Sequence, residues 1–307
     1  MAFKLNKNDQ ELLAFLAECR VLTLSQVASI QKKSKQVTRR RMRALEEAGV
    51  ILSGTQGFGR FRGRPGKFLS VARKGADLLN LEGIPLENVI YNFNEENLRL
   101  LDHQILVNWF RIHLQYIEQV IPQLSIQFLS PTSPFLKRDQ DNRPFIFEPH
   151  PIEGRERQSN GFTPDGVFSI SHSEKNKTLL FFLEVDLGTE SIASPKRHPR
   201  DIRQKVTNYQ RHFQSGQYKR YEKIWNCSLK GFRLLFLTNT NGRLAALCRL
   251  VQQMPPSDFV WLTDQERMFS HGLSAEIWFP GGRQDTPPES ILGPEMASQI
   301  PIPSLKE

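Results

Sequence analysis

Cysteine is scarce in this chain: Cys19, Cys227 and Cys248 are the only three in 307 residues, far apart and in apolar surroundings. An odd number at such spacing builds neither a disulfide framework nor a zinc site, and predicts reduced thiols packed as small hydrophobes. Long apolar runs are missing as well. None approaches the roughly 20 residues that span a bilayer, and the opening MAFKLNKNDQ has no hydrophobic signal core. No membrane association and a cytoplasmic location are therefore expected. Histidines number seven, and none pairs with another at a metal-ligand spacing. His103 and His113 read as packing or surface residues of a helix, and His150, His198 and His212 form no cluster. Acidic surplus is absent too, for the net charge is +9 and the pI about 9.6.

What is present begins with a core, since 39% of the residues are hydrophobic, adequate for one large domain or two ordinary ones. The positive charge is concentrated. Residues 1–75 carry a local balance of +11, so the remainder is slightly acidic, and the basic module is the part suited to a polyanion. In that module NKNDQELLAFLAE predicts a capped amphipathic helix with an Asn8/Asp9 start, Thr23 opens a second over LSQVASI, and SKQVTRRRMRALEEAGV gives a third. The third has Val37, Met42 and Leu45 facing inward, with Gly49 as its stop. A strand, a Gly-rich tip and a returning strand follow, so the module is expected to be a winged helix-turn-helix.

Lys35, Arg39, Arg40, Arg41 and Arg43 are expected on or beside the exposed side of the third helix, which can enter a major groove roughly 12 Å wide. In the tip, RFRGRPGK places Arg60, Arg62, Arg64 and Lys67 among glycines, slim enough to approach a minor groove. The bland alternatives are a solvated charged face and a simple flexible loop.

A connector rich in Gly, Pro and Asn leads to a long helix over about 94–121, apolar on one broad face. Then come the strand LSIQFLS, a polar segment over 131–161, and the strands FTPDGVFSI and TLLFFLEVDL. A helix over about 200–214, the strand FRLLFLTN, a helix over GRLAALCRLVQQM and the strand DFVWLT complete an α/β (α+β) mixed-sheet arrangement. From Thr286 onward Pro is frequent and periodicity vanishes, which predicts disorder. The expected domains are 1–82, 83–285 and a tail over 286–307.

Within this second module, LLFFLEVDLGTE (Leu179 to Glu190) drives an apolar strand into acids. Strand alternation puts Leu180, Phe182, Glu184 and Asp186 on one face. Antiparallel pairing with the preceding strand brings Asp165 close to Glu184. Three such carboxylates ionise together only at a cost unless a cation is near, and Mg²⁺ or Mn²⁺ takes oxygen ligands. The alternative is that Glu184 and Asp186 cap the strand or bind nearby arginines. Glu190 is either part of the site or a turn residue.

PDG at Pro164 to Gly166, LEVDLGTE at Leu183 to Glu190 and RQKVTNY at Arg203 to Tyr209 resemble the replication-relaxation family, over most of residues 8–265. That family, which includes MobC-type relaxases of mobilisable plasmids, joins an N-terminal winged helix to a domain of the PD-(D/E)xK restriction-endonuclease fold. The resemblance implies Asp165 as the first motif acid, Glu184 as the second, and Asp186 as an extra carboxylate where the nuclease pattern has lysine. In the parent motif that lysine orients water and stabilises phosphorane charge. Lys205, from the next helix, is the best replacement and Lys196 the runner-up. Tyr209, one turn beyond Lys205, is either a phosphate contact or nucleophile, or a buried core residue.

The chain is thus expected to bind double-stranded DNA and nick one strand with Mg²⁺ or Mn²⁺ in plasmid or mobile-element mobilisation or replication. Asp165, Glu184 and Asp186 would hold the metal, Lys205 would stabilise phosphate charge, and other DNA-processing or transfer proteins or a second copy would be further partners. The rival expectation is a DNA-binding regulator whose nuclease-like domain is inert, for which the missing lysine speaks.

Overall fold

The computed structural model describes residues 5–55, 67–79, 84–149, 161–192, 201–303 and 305. The chain forms two compact units. The first comprises Met1–Ile112, Thr132–Lys137 and Leu305–Glu307, the second His113–Pro131 and Arg138–Ser304.

The first unit opens with α1 (Lys7–Cys19), capped by Asn6, whose side chain accepts from the Asp9 amide while the Asp9 carboxylate accepts from the Asn6 amide, both at 2.9 Å. After β1 (Leu22–Thr23), Thr23 caps α2 (Leu24–Ile30) in the same reciprocal way with Gln26. Ser34 caps α3 (Lys35–Glu47), which ends before Gly49 at φ +70°. Strands β2 (Ile51–Thr55) and β3 (Lys67–Val71) pair antiparallel, with β1 on the other side of β3. The residues joining β2 to β3, and with them Arg60, Arg62 and Arg64, lie outside the described residues. Leu13, Leu16, Leu22, Leu45, Val50 and Val71 form the centre of this unit's core.

Two expectations for α3 change. Val37 is 45% exposed, and Thr38 takes the inward position with Met42 and Leu45. Arg41, expected beside the exposed arginines, is half-buried and forms an ion pair with the buried Asp9 of α1. The reason is spacing: Arg41 follows Thr38 by three and precedes Leu45 by four, so it borders the buried stripe, where a buried carboxylate needs a cation.

The connector does not end this unit. After α4 (Arg73–Leu78), Val89 of α5 (Leu86–Val89) is in the same core. The expected long helix divides at Leu100 into α6 (Glu95–Arg99) and α7 (Leu101–Val120). The first turns of α7 belong to the first unit, where the Ile105 carbonyl accepts from Gln26 Nε2 at 2.8 Å and Asn108 Nδ2 donates to the Val21 carbonyl at 2.7 Å. Buried polar groups need such partners, and they draw the unit past the expected boundary at 82.

In the second unit β4 (Leu124–Leu129) precedes the short pair β5 (Glu148–Pro149) and β6 (Gly161–Phe162), then β7 (Gly166–His172) and β8 (Lys177–Asp186). Next come α8 (Ile202–Ser215), α9 (Glu222–Trp225), β9 (Arg233–Thr238), α10 (Asn241–Gln252), β10 (Val260–Asp264), α11 (Gln265–His271), β11 (Phe279–Pro280) and α12 (Pro294–Ala297). Six strands form a mixed sheet in the order β11-β10-β9-β8-β7-β4. β4, β7 and β8 are antiparallel neighbours, whereas β8, β9 and β10 run parallel, because helices α8 and α10 carry the chain back between them. The expected α/β (α+β) mixed sheet is what the chain adopts. No helix of the described residues is long and apolar enough to cross a membrane.

The segment from Thr286, expected to be disordered, instead packs over residues 290–292. Ile291 is fully buried, Ser290 Oγ donates to the Ser274 carbonyl at 2.6 Å, and Trp278 and Glu289 exchange backbone hydrogen bonds. Proline erased the periodicity without removing the apolar side chains that need a place to go.

Candidate functional site

β8 is buried from Leu180 to Asp186, where it sits between β7 and β9 with side chains covered on both faces. Its alternation is visible in the contacts. Phe181 stacks on Phe168 of β7 at 4.8 Å between ring centres, while Phe182 packs edge-on to Tyr209 of α8 at 5.6 Å. Glu184 and Asp186 continue the Phe182 face, and both are almost wholly buried.

Glu184 has partners from α8. Lys205 Nζ donates to Glu184 Oε2 at 3.0 Å and Tyr209 donates its hydroxyl to Oε1 at 2.6 Å. The helix begins at Asp201, whose side chain accepts from the Gln204 amide at 2.8 Å. From that cap, Lys205 and Tyr209 lie one turn apart on the face toward β8. Lys205 also stands 3.0 Å from Glu190 Oε2. Lys196 lies outside the described residues.

Asp165 lies just before β7. Its amide donates to the Leu183 carbonyl at 3.0 Å, and its Oδ2 accepts from the Val185 amide at 2.8 Å. Asp165 is thereby tied to the backbone on both sides of Glu184, its amide to Leu183 and its carboxylate to Val185. Gly166 beside it has no room for a side chain: a Cβ there would stand 2.3 Å from the Phe128 ring.

Asp186 takes a different direction. Its Oδ2 accepts from Arg243 Nε of α10 at 2.6 Å and its Oδ1 from the Gly188 amide at 2.9 Å, in a turn where Gly188 has φ +79°. Arg243 Nη2 also donates to the Glu190 carbonyl at 2.6 Å. The arginine alternative therefore describes Asp186, and Arg243 is a neighbour that strand periodicity could not have shown.

Burial pushes the Glu184 carboxyl up to about 7; Lys205 draws it down, Asp165 pushes it further up, and the Tyr209 hydrogen bond draws it down. Burial opposes the charge on Lys205, yet Glu184, Asp165 and Glu190 together hold its ammonium well above the ordinary lysine range. Burial, then the charge and hydrogen bond of Glu184, keep the Tyr209 phenol protonated far above its usual range.

The fit to a divalent ion is partial. Asp165, just before β7, and Glu184 of β8 offer hard oxygen donors, but Asp186 is committed to Arg243. Among the described residues no group of three or more His, Cys, Asp or Glu side chains is placed to hold a metal.

A second polar cluster, not foreseen from sequence, lies further along α8. Tyr221 donates its hydroxyl to Glu148 Oε1 at 2.6 Å, Arg220 Nη2 is 3.3 Å from the same oxygen, and His212 Nε2 is 3.6 Å from Oε2. Phe162 packs edge-on against both Tyr209 and His212. Its members are scattered over 70 residues of sequence, which is why no spacing announced them.

In the basic unit, Lys35, Arg39, Arg40 and Arg43 are exposed along α3. Lys67 pairs with Glu46 Oε2 at 2.5 Å at the foot of the β2–β3 hairpin.

No curated protein and no solved structure gives a significant match to the chain. A family model does: the one described as replication-relaxation matches residues 13–226, a span that begins in α1 and runs past Asp165, Glu184, Lys205 and Tyr209. The chain therefore belongs to the replication-relaxation family.

Proposed function

We propose that the protein binds duplex DNA through its first unit, read as a winged helix-turn-helix, and cuts one strand in its second, read as a nuclease-like domain. Family membership carries the coarser statement, a part in plasmid replication or mobilisation. The observation that supports cutting is the lysine at 3.0 Å from Glu184. It stands on α8 rather than two residues along the strand, where Asp186 replaces it, and so offers the positive charge that nuclease chemistry needs.

Asp165 and Glu184 are the residues that would hold Mg²⁺ or Mn²⁺, and the ion when bound would supply Lewis-acid stabilisation of the phosphate undergoing attack. Lys205 carries a lasting positive charge to the same place. Tyr209 orients Glu184 by donating to Oε1. Its phenol resists ionisation, which favours direct hydrolysis over a covalent tyrosine intermediate. Asp186 positions the end of β8 through Arg243 and Gly188.

A second reading has its own support. Glu184 is already satisfied by Lys205 and Tyr209, and Asp186 by Arg243, an arrangement that suits an inert domain in a DNA-binding accessory factor. The two readings separate on supercoiled plasmid carrying the cognate origin, incubated with Mg²⁺ or Mn²⁺. Metal-dependent nicking by the native protein is expected to drop about a hundredfold or more in Asp165→Ala, Glu184→Ala and Lys205→Ala. Nicking that persists in all three sinks the site. Binding without any nicking by the native protein establishes the accessory factor.

A further inference from the structure

At the end of the sheet remote from Glu184, the start of β8 borders a cleft of about 1070 Å³ within the second unit. Along β8, Lys177 at the cleft and Glu184 stand roughly 23 Å of extended strand apart. Lys175, Lys177 and Lys230 stand exposed around the cleft. Phe213 and Phe259, half-buried and stacked with ring centres 5.1 Å apart, form part of its wall. Asp258 is the sole acid in the lining, and Arg283 Nη1 holds it at 2.5 Å. Among the described residues no acid pairs with any of the three lysines. Arg233 also borders the cleft, but its guanidinium is engaged elsewhere, 4.1 Å from the centre of the Trp261 ring and donating to the Ile291 carbonyl at 3.2 Å.

Like charges gathered around one concavity repel unless an anion sits among them. A concave aromatic wall of this size takes a planar apolar group. One ligand class carries both features. We propose that this cleft binds a nucleotide, its phosphates on Lys175, Lys177 and Lys230 and its base against Phe213 and Phe259. A segment of single-stranded nucleic acid and a free nucleotide share that chemistry. The site is independent of the exposed arginines of α3 and of the carboxylates at the far end of β8, so it stands whether or not the protein cuts DNA.

Cys227 lines the same cleft and is half-buried, whereas Cys19 and Cys248 are buried. Its alkylation by iodoacetamide, followed by peptide mass spectrometry on the full chain, reports occupancy locally. The probes are a short oligothymidylate, ATP and inorganic pyrophosphate. Oligothymidylate or ATP at ten times its Kd is expected to slow Cys227 modification about tenfold, because only the empty cleft reacts. The double substitution Lys177→Ala, Lys230→Ala should abolish the protection without changing the ligand-free rate, while Cys19 and Cys248 stay unreactive and report an intact fold. Stronger protection by oligothymidylate assigns the cleft to a strand; stronger protection by ATP assigns it to a free nucleotide. Equal protection by pyrophosphate overturns the part given to the phenylalanines, and no protection by any probe overturns the proposal.

Discussion

Glu148 and His212 are buried 3.6 Å apart with Arg220 and Tyr221 at their side, and their titrations work against each other. Burial raises the Glu148 carboxyl to about 7, with Arg220 and Tyr221 pulling it down. The folded protein thus takes up this proton before the unfolded chain does, and stability grows as pH falls from about 7 towards the ordinary value of 4.5. Burial lowers His212 to about 4, with the Arg220 charge adding to it. Here the unfolded chain protonates first, so stability is lost as pH falls from 6.5 to about 4. Glu148→Gln should therefore steepen acid destabilisation below pH 6.5, and His212→Gln should turn the slope the other way, each by on the order of 2 kcal/mol across the window. Urea midpoints against pH at fixed ionic strength measure both. Curves parallel to the native one would show that neither group titrates on folding. At this scale the sequence was legible for Glu184 and Asp186, because the period of a strand states which side chains share a face, and for Asp165 through the antiparallel pairing of β7 with β8. It was silent on Glu148, since nothing local tells a lone glutamate that Tyr221 and His212 will close over it.

At the scale of elements, α3 separates exposed charge, which the proposal gives to DNA, from charge that holds the fold. Arg39, Arg40 and Arg43 are exposed, whereas Arg41 is bound to Asp9. Replacing the three exposed arginines with Ala should reduce the slope of log K against log salt by as much as about 3 if each meets a phosphate. Arg41→Ala should leave that slope unchanged and lower stability by about 2–3 kcal/mol, since it strands a buried carboxylate. Fluorescence anisotropy over a salt series and urea unfolding check the two halves. A slope that shifts with Arg41 and not with the others would reverse the assignment. The Thr23 cap was within reach of sequence, because a cap is made by residues three apart, whereas α1 is capped by Asn6 and not at the expected Asn8/Asp9 start. The inward stripe of α3 was misjudged where the more apolar Val37 competed with Thr38, and geometry rather than hydrophobicity decided which one is buried.

For the molecule as a whole, the prolines of the final segment mislead. Arg233 Nη1 donates to the Ile291 carbonyl at 3.2 Å, and Ile291 and Leu292 are buried. Deleting residues 286–307 should cost about 3–5 kcal/mol, the worth of two buried aliphatic side chains. A stability loss below about 1 kcal/mol in urea unfolding would show that the packing contributes little. The order of elements from α7 through β10 follows the sequence closely, and so does the location of the positive charge in the first unit. The sequence by itself determined which side chains share a face along β8 and the Thr23 cap of α2, because those depend on residues near in the chain. Tertiary structure alone decided that Lys205 meets Glu184 and that Arg243 meets Asp186. Those encounters arise where two helical crossovers between parallel strands return to one face of the sheet, and the residue standing opposite a side chain is fixed by that long-range packing.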